Sequence, residues 1–110
     1  MKLLAMCMPI LPGKKQMWLD MMEQLNTEPM KSEFDASRED AGVYERSFLQ
    51  ETPAGDFVIL TWEGDDPEAS FAKIMEGMDE NFAAFAKEVH GLDMNGEAPA
   101  LPKLVYTSRN

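Results

Sequence analysis

The sequence predicts an α+β fold, a four-stranded antiparallel sheet that carries its helices on one face. Three observations lead there. Apolar residues recur at helical spacing in two long stretches, and a hairpin joins two strand-like runs between them. One of those runs, Phe57-Val58-Ile59-Leu60-Thr61-Trp62, also sets bulky side chains on both of its faces. A strand alternates its side chains between two faces, so a sheet with one wet face alternates apolar and polar residues. This run does not, and a sheet whose helices cover only one side then needs a partner for the other.

Leu3 to Met8 is apolar on both faces, with Leu3, Ala5 and Cys7 opposed to Leu4, Met6 and Met8. It reads as the first strand, ended by Pro9 and Pro12-Gly13. Met17, Trp18, Met21, Met22 and Leu25 then follow at the spacings of one helical face. Thr27-Glu28-Pro29 reads as a helix restart with proline near its first position, continued by Met30, Phe34 and Ser37 and stopped at Gly42. Val43 to Glu51 alternates imperfectly, with Val43, Glu45, Ser47 and Leu49 on one face and Tyr44, Arg46, Phe48 and Gln50 on the other. Thr52-Pro53-Ala54-Gly55-Asp56 is the turn that leads into the Phe57–Trp62 strand.

Asp66-Pro67 marks a helix start, the carboxylate capping the first-turn amides and proline sitting where no donor is missed. Phe71, Ile74, Met75, Met78, Phe82, Phe85 and Val89 trace one stripe, with Gly77 a bend or close approach and Gly91 the cap under Leu92. Asn95 to Pro102 reads as a connector and Lys103 to Thr107 as the fourth strand. With right-handed crossovers, the order strand, helix, strand, strand, helix, strand makes a ferredoxin-like βαββαβ sheet. The uncovered face of such a sheet spans roughly 350 Å² of flat footprint, large for a monomer, so a homodimer with the two sheets face to face is expected.

The 110 residues fit one domain, residues 1–110. A formal net charge of -10 with no basic cluster excludes a nucleic-acid partner. Between Glu63 and Glu97 ten acidic residues meet only Lys73 and Lys87, the composition of a solvated helix face. The single cysteine, Cys7, excludes an internal disulfide and reads as a buried, inert thiol. No apolar run approaches the roughly 20 residues of a membrane span, so no membrane partner and a cytoplasmic location are expected.

His90 is the sole histidine, which excludes metal sites built from several imidazoles. Glu63, Asp65 and Asp66 lack the ligand spacing of a calcium loop, and no phosphate-binding loop, nucleophile elbow or zinc signature occurs. No cofactor and no metal are expected. The candidate chemistry falls on three residues. His90 reads either as an acid/base or haem ligand at a cavity rim, or as a helix-terminal cation favoured by the dipole and by Glu88 or Asp93. Glu45 shares a face with Val43 and Leu49, so its burial demands a partner, and Arg38 at the end of the preceding helix supplies one. Tyr44, Phe48 and Trp62 are the candidate walls of an apolar ligand pocket. The helical methionines at 17, 21, 22, 75 and 78 read as adaptable core filler.

Several segments carry a family resemblance: Met8-Pro9-Ile10-Leu11-Pro12-Gly13-Lys14, Ser37-Arg38 with Gly42-Val43 and Glu45, and Leu49-Gln50-Glu51-Thr52-Pro53 with Gly55-Asp56. Glu63-Gly64-Asp65-Asp66-Pro67 and His90-Gly91-Leu92-Asp93 complete the set. On these the chain resembles the dimeric α/β-barrel superfamily, which includes antibiotic-biosynthesis-monooxygenase-like and stress-responsive barrel domains, and within it an uncharacterised bacterial family. The resemblance implies two ferredoxin-like protomers packed sheet to sheet and carries no activity with it. Haem-degrading and quinone-forming relatives depend on Asn, Trp and His residues. Here Trp62 lies on a strand, His90 at a helix end, and no Asn completes the set, so that chemistry does not transfer. The expected function is binding of a small, mostly apolar molecule between sheet and helices, without assigned catalysis. The alternative is a cofactor-independent, monooxygenase-like enzyme acting on a small aromatic or polyketide-like substrate, with His90, Arg38 and Glu45 as its catalytic candidates.

Overall fold

A computed structural model describes residues 1–93 and 101–109. The elements run β1 (Lys2–Ile10), α1 (Lys15–Leu25), α2 (Met30–Ala41), β2 (Val43–Thr52), β3 (Gly55–Gly64), α3 (Pro67–Glu76) and α4 (Glu80–His90). The sheet has the order β1-β3-β2 and is antiparallel throughout, so β1 and β2 run parallel on either side of β3. The fold is α+β, with three strands and four helices among the described residues.

Register fixes what each face carries. Leu4, Trp62 and Glu45 lie in one row across the sheet, Met6, Leu60 and Ser47 in the next, then Met8, Val58 and Leu49. These rows face the helices. The alternate rows are Leu3, Glu63 and Tyr44; Ala5, Thr61 and Arg46; Cys7, Ile59 and Phe48; and Pro9, Phe57 and Gln50, and they face away. The Phe57–Trp62 run therefore does feed both faces, but only one has a helical cover.

Pro9 does not end the first strand, which continues to Ile10. β1 is an edge strand, where a missing amide is tolerated more readily than in a central one. Pro29 stands at the N-cap of α2 rather than inside its first turn, and Gly42 ends that helix at φ 82°, a left-handed conformation that suits glycine. The stripe from Phe71 to Val89 is divided between two helices. Gly77 closes α3, and the Asp79 carboxylate accepts the Phe82 amide at 2.8 Å to open α4. Asp66 caps α3 in the same way, through the Ala69 amide at 3.2 Å, with Pro67 at its first position. At the other end of α4, Gly91 and Leu92 return their amides to Lys87 and Ala86, the two bonds of a left-handed glycine cap.

The segment expected as a fourth strand, Lys103–Thr107, pairs with neither edge of the sheet. Leu101 packs against the cluster of Leu4, Met6, Val43 and Trp62, Pro102 follows without an amide donor, and Thr107 and Arg109 satisfy each other in a local turn. Leu104, Val105 and Tyr106 are left 76, 92 and 79% exposed. Of the connector expected over Asn95–Pro102, residues 95–100 lie outside the described residues. No helix among the described residues is long and apolar enough to cross a membrane.

The core divides into two clusters. Leu4, Met6, Val43 and Trp62 form one, Ile10, Trp18, Val58 and Val89 the other, and Leu60 touches both. Gly64 joins the first cluster to the end of α2, because a β-carbon there would fall on the Gly42 carbonyl oxygen. That oxygen is backbone and cannot swing aside, so Gly64→Ala is expected to destabilise the chain by about 1–3 kcal/mol, as overpacking does. Urea unfolding of the two proteins measures the difference, and an unchanged midpoint would contradict the packing described.

Candidate functional site

Between the helix-facing rows and the helices lies a cavity of about 500 Å³. Its walls are overwhelmingly apolar: Trp18, Met22, Leu60, Trp62, Phe71, Phe82 and Phe85 are among them, and Met6, Met8, Met21, Met75 and Met78 contribute flexible thioethers. The polar side chains in its lining are Arg38, Glu45, Ser47, His90 and Asp93. Few polar groups in an apolar concavity are the general make-up of a small-molecule site.

At one end, Glu45 faces the helices because it shares the row of Leu4 and Trp62. Its Oε1 accepts from Arg38 Nε at 3.0 Å and from Trp62 Nε1 at 2.5 Å. The ion pair is nearly enclosed, with side chains 13 and 12% exposed. Arg38 Nη1 also donates to Ser37 Oγ at 3.2 Å. The guanidinium lies over the Phe34 ring, 4.0 Å from its centroid, and 5.4 Å from that of Trp62. Both separations are within reach of cation–π attraction. The pair expected from the sequence is formed, and its guanidinium lies against two rings.

His90 sits at the other end, 6% exposed. Its Nδ1 is 2.8 Å from the Pro9 carbonyl oxygen. A carbonyl only accepts, so Nδ1 carries the hydrogen and donates, leaving Nε2 of the neutral ring as an acceptor. Phe85 meets the imidazole edge-on at 6.2 Å. Burial pushes the His90 pKa below the ordinary histidine value, and the bond to Pro9 opposes this only in part. His90 is the last residue of α4, as the helix-terminal reading has it, but burial lowers its pKa and so works against the cationic form.

The two polar ends do not meet. Leu4, opposite Trp62, and Pro9, which holds His90, are five residues apart on β1, which places the ends about 17 Å from each other along the strand. Tyr44 and Phe48 lie on the face away from the helices, 64 and 51% exposed, so of the three candidate aromatics only Trp62 lines the cavity. Cys7, expected buried, is exposed on that same outer face. Sequence reasoning missed Phe34 and Ser47 as site residues. Phe34 stands one helical turn before Arg38, and Ser47 is a small polar residue on the face of Val43, Glu45 and Leu49, so both carried a signal in the spacing. No cluster of three or more His, Cys, Asp or Glu residues suited to a metal occurs among the described residues.

A histidine whose folded pKa is depressed binds its proton more readily in the unfolded chain. Its contribution to stability is present above the unfolded value, about 6.5, and is lost as the pH falls through it. The single imidazole is expected to titrate below 6.5 by NMR, and stability is expected to drop between pH 7 and 5.5 by more in the wild type than in His90→Gln. Equal slopes for the two proteins would contradict the buried, neutral assignment.

Compared with protein-family models, with curated proteins and with solved structures, the chain matches none.

Proposed function

We propose that this chain is a homodimeric α/β-barrel protein of ferredoxin-like topology that binds a small, mostly apolar molecule between its sheet and its helices. One observation carries the reading. The cavity of about 500 Å³ is lined by residues of both core clusters and holds an ion pair and a neutral histidine, with Ser47 and Asp93, in otherwise apolar walls. An interior closes up at near-crystal density unless something is meant to occupy the space. The test is a neutral apolar dye, N-phenylnaphthylamine, titrated into the purified protein. Binding near one dye per chain with blue-shifted emission is expected, reduced at least about tenfold by Ala86→Phe, which loses space on the α4 wall, and less by Ala83→Leu. Dye binding unaffected by either substitution, in variants with native circular dichroism, would overturn the reading.

The homodimer is supported by the outer sheet face. Leu3, Tyr44, Ala5, Cys7, Ile59, Phe48, Phe57 and Pro9 lie on it with only two charges, Arg46 and Glu63, of opposite sign. Three strands of about nine residues give a flat footprint near 440 Å² per copy, or about 900 Å² for a pair before side-chain relief is counted. That is a little over half of the roughly 1,600 Å² of accessible area buried in a standard interface, the rest being left to side-chain relief. A two-fold packing lets Arg46 and Glu63 answer each other across it. Leu104, Val105 and Tyr106 add apolar area, and in the paired state Lys103–Thr107 forms the fourth strand of the barrel. Sedimentation at micromolar concentration is expected to give twice the chain mass, with Cys7 protected from thiol reagents. Phe48→Glu, at a position exposed in the single chain, is expected to yield a folded monomer with reactive Cys7. A wild-type protein that sediments only as a single chain would overturn the dimer.

One feature favours the second reading, a cofactor-independent oxygenase-type enzyme. His90 lines the cavity, and with Nδ1 donating to Pro9 its Nε2 is the ring's remaining acceptor, the atom that would take a proton from a phenol or enol while the substrate supplies the electron-rich centre.

A further inference from the structure

We infer that the cavity takes an elongated, uncharged molecule with a hydrogen-bonding group at each end, an acceptor such as a carbonyl toward Arg38 and a donor such as a hydroxyl toward His90. The inference rests on the proposed ligand-binding reading and specifies the ligand class.

Shape comes first. The polar groups are gathered at two poles about 17 Å apart along β1, and the space between them is walled by Met6, Met22, Leu60, Met75, Met78 and Phe85. A compact ligand reaches one pole only. Methionine walls adapt to a flexible chain as they adapt to irregular core gaps. Ser47 breaks the apolar middle at the strand edge, in the row of Met6 and Leu60.

Charge decides the rest. The Arg38 guanidinium is already balanced by Glu45, so a ligand carboxylate would have to be buried without a counter-charge of its own. Outside Arg38 a groove of about 460 Å³ between α2 and the α3–α4 junction carries Glu33, Asp40 and Asp79 against Lys73, and the whole chain is strongly acidic. Anions are repelled on approach. A guanidinium has five N–H groups, of which Nε serves Glu45 and one on Nη1 serves Ser37, so donors remain for a neutral oxygen. At the opposite pole the imidazole offers an acceptor, which selects a donor. A cation there would face a neutral ring, and the Asp93 carboxylate, which also lines the cavity, already has an interaction of its own.

The test titrates the full chain with methyl ω-hydroxydecanoate, its free acid, methyl decanoate and methyl ω-hydroxyhexanoate, read by calorimetry and by the fluorescence of Trp18 and Trp62, both of which line the cavity. The hydroxy ester is expected to bind about tenfold or more tightly than its free acid, because the acid buries a charge. Affinity is expected to rise severalfold for each added methylene, up to the fourfold that full burial provides. His90→Phe is expected to bring the ratio between the hydroxy ester and methyl decanoate close to one. A free acid that binds as tightly as the ester, or affinity that does not change with length, overturns this inference while leaving the cavity reading intact so long as the neutral dye binds. Failure of the dye as well as every ester overturns both.

Discussion

One carboxylate oxygen organises the helix-facing side of this protein. Glu45 Oε1 receives Arg38 from α2 and Trp62 from β3, so a single acceptor joins a helix and two strands. The register of β2 forces the contact, since Glu45 cannot leave the row of Trp62 and Leu4 without turning Val43 and Leu49 out to water. A carboxylate held there alone would be costly, and breaking such a pair generally costs about 3–5 kcal/mol. The pair's exposure of 13 and 12% lowers that figure without removing it. Its geometry also positions Arg38 over Phe34, and Phe34 stacks in turn with Phe82 of α4 at 6.4 Å, so the pair is linked through α2 to α4.

The cavity follows from how short the helices are. A helix unbroken from Pro67 to His90 would lie straight along the sheet, whereas the turn at Gly77–Asp79 sends α3 to the Leu4–Trp62 cluster and α4 to the Ile10–Val58 cluster. Each helix then packs well at one end. Leu60 is left to bridge the clusters along the sheet, and the volume above it is the cavity. His90 is fixed at its end by the same economy. The glycine cap at Gly91 stops α4, the Leu11 amide binds the Val89 carbonyl at 2.8 Å, and the imidazole turns in to meet Pro9.

Much of this was legible in the residues. Alternation in β2 identified the Glu45 face, and helical spacing found the apolar stripes, except that Met17, read as core filler, is 39% exposed and the Phe71–Val89 stripe runs over two helices. The Arg38–Glu45 pair followed from the cost of burying a lone carboxylate. What the sequence hid depends on tertiary geometry. Pro9 looked like a stop because its place on an edge strand was unknown, and Cys7 looked buried because an apolar strand was assumed to be covered on both faces. Asp79 is an ordinary capping residue in an acidic stretch, so its break in the stripe was masked by its neighbours. The helix end that suggests a cationic His90 is visible in sequence, while the burial that lowers its pKa, opposed only in part by the Pro9 carbonyl 81 residues away, comes from tertiary packing. Lys103–Thr107 has the composition of a strand, yet in the single chain it joins neither β1 nor β2, the two edges of the sheet.

The two faces of β3 are mechanically one object. Trp62 and Leu60 form the cavity floor, Ile59 and Phe57 the outer face, and the residues alternate along one backbone with no independent hinge between them. Covering the outer face with a second copy would hold that backbone from both sides. It would also press on the row of Cys7, Ile59 and Phe48, which lies between the Leu60 row and the Val58 row of the cavity floor. Binding inside and pairing outside therefore act on the same strand, and any ligand that spreads the floor must also work against the sheet contact. Linkage makes any such coupling reciprocal, so in the proposed dimer a ligand that weakens the sheet contact is itself held less tightly by the pair.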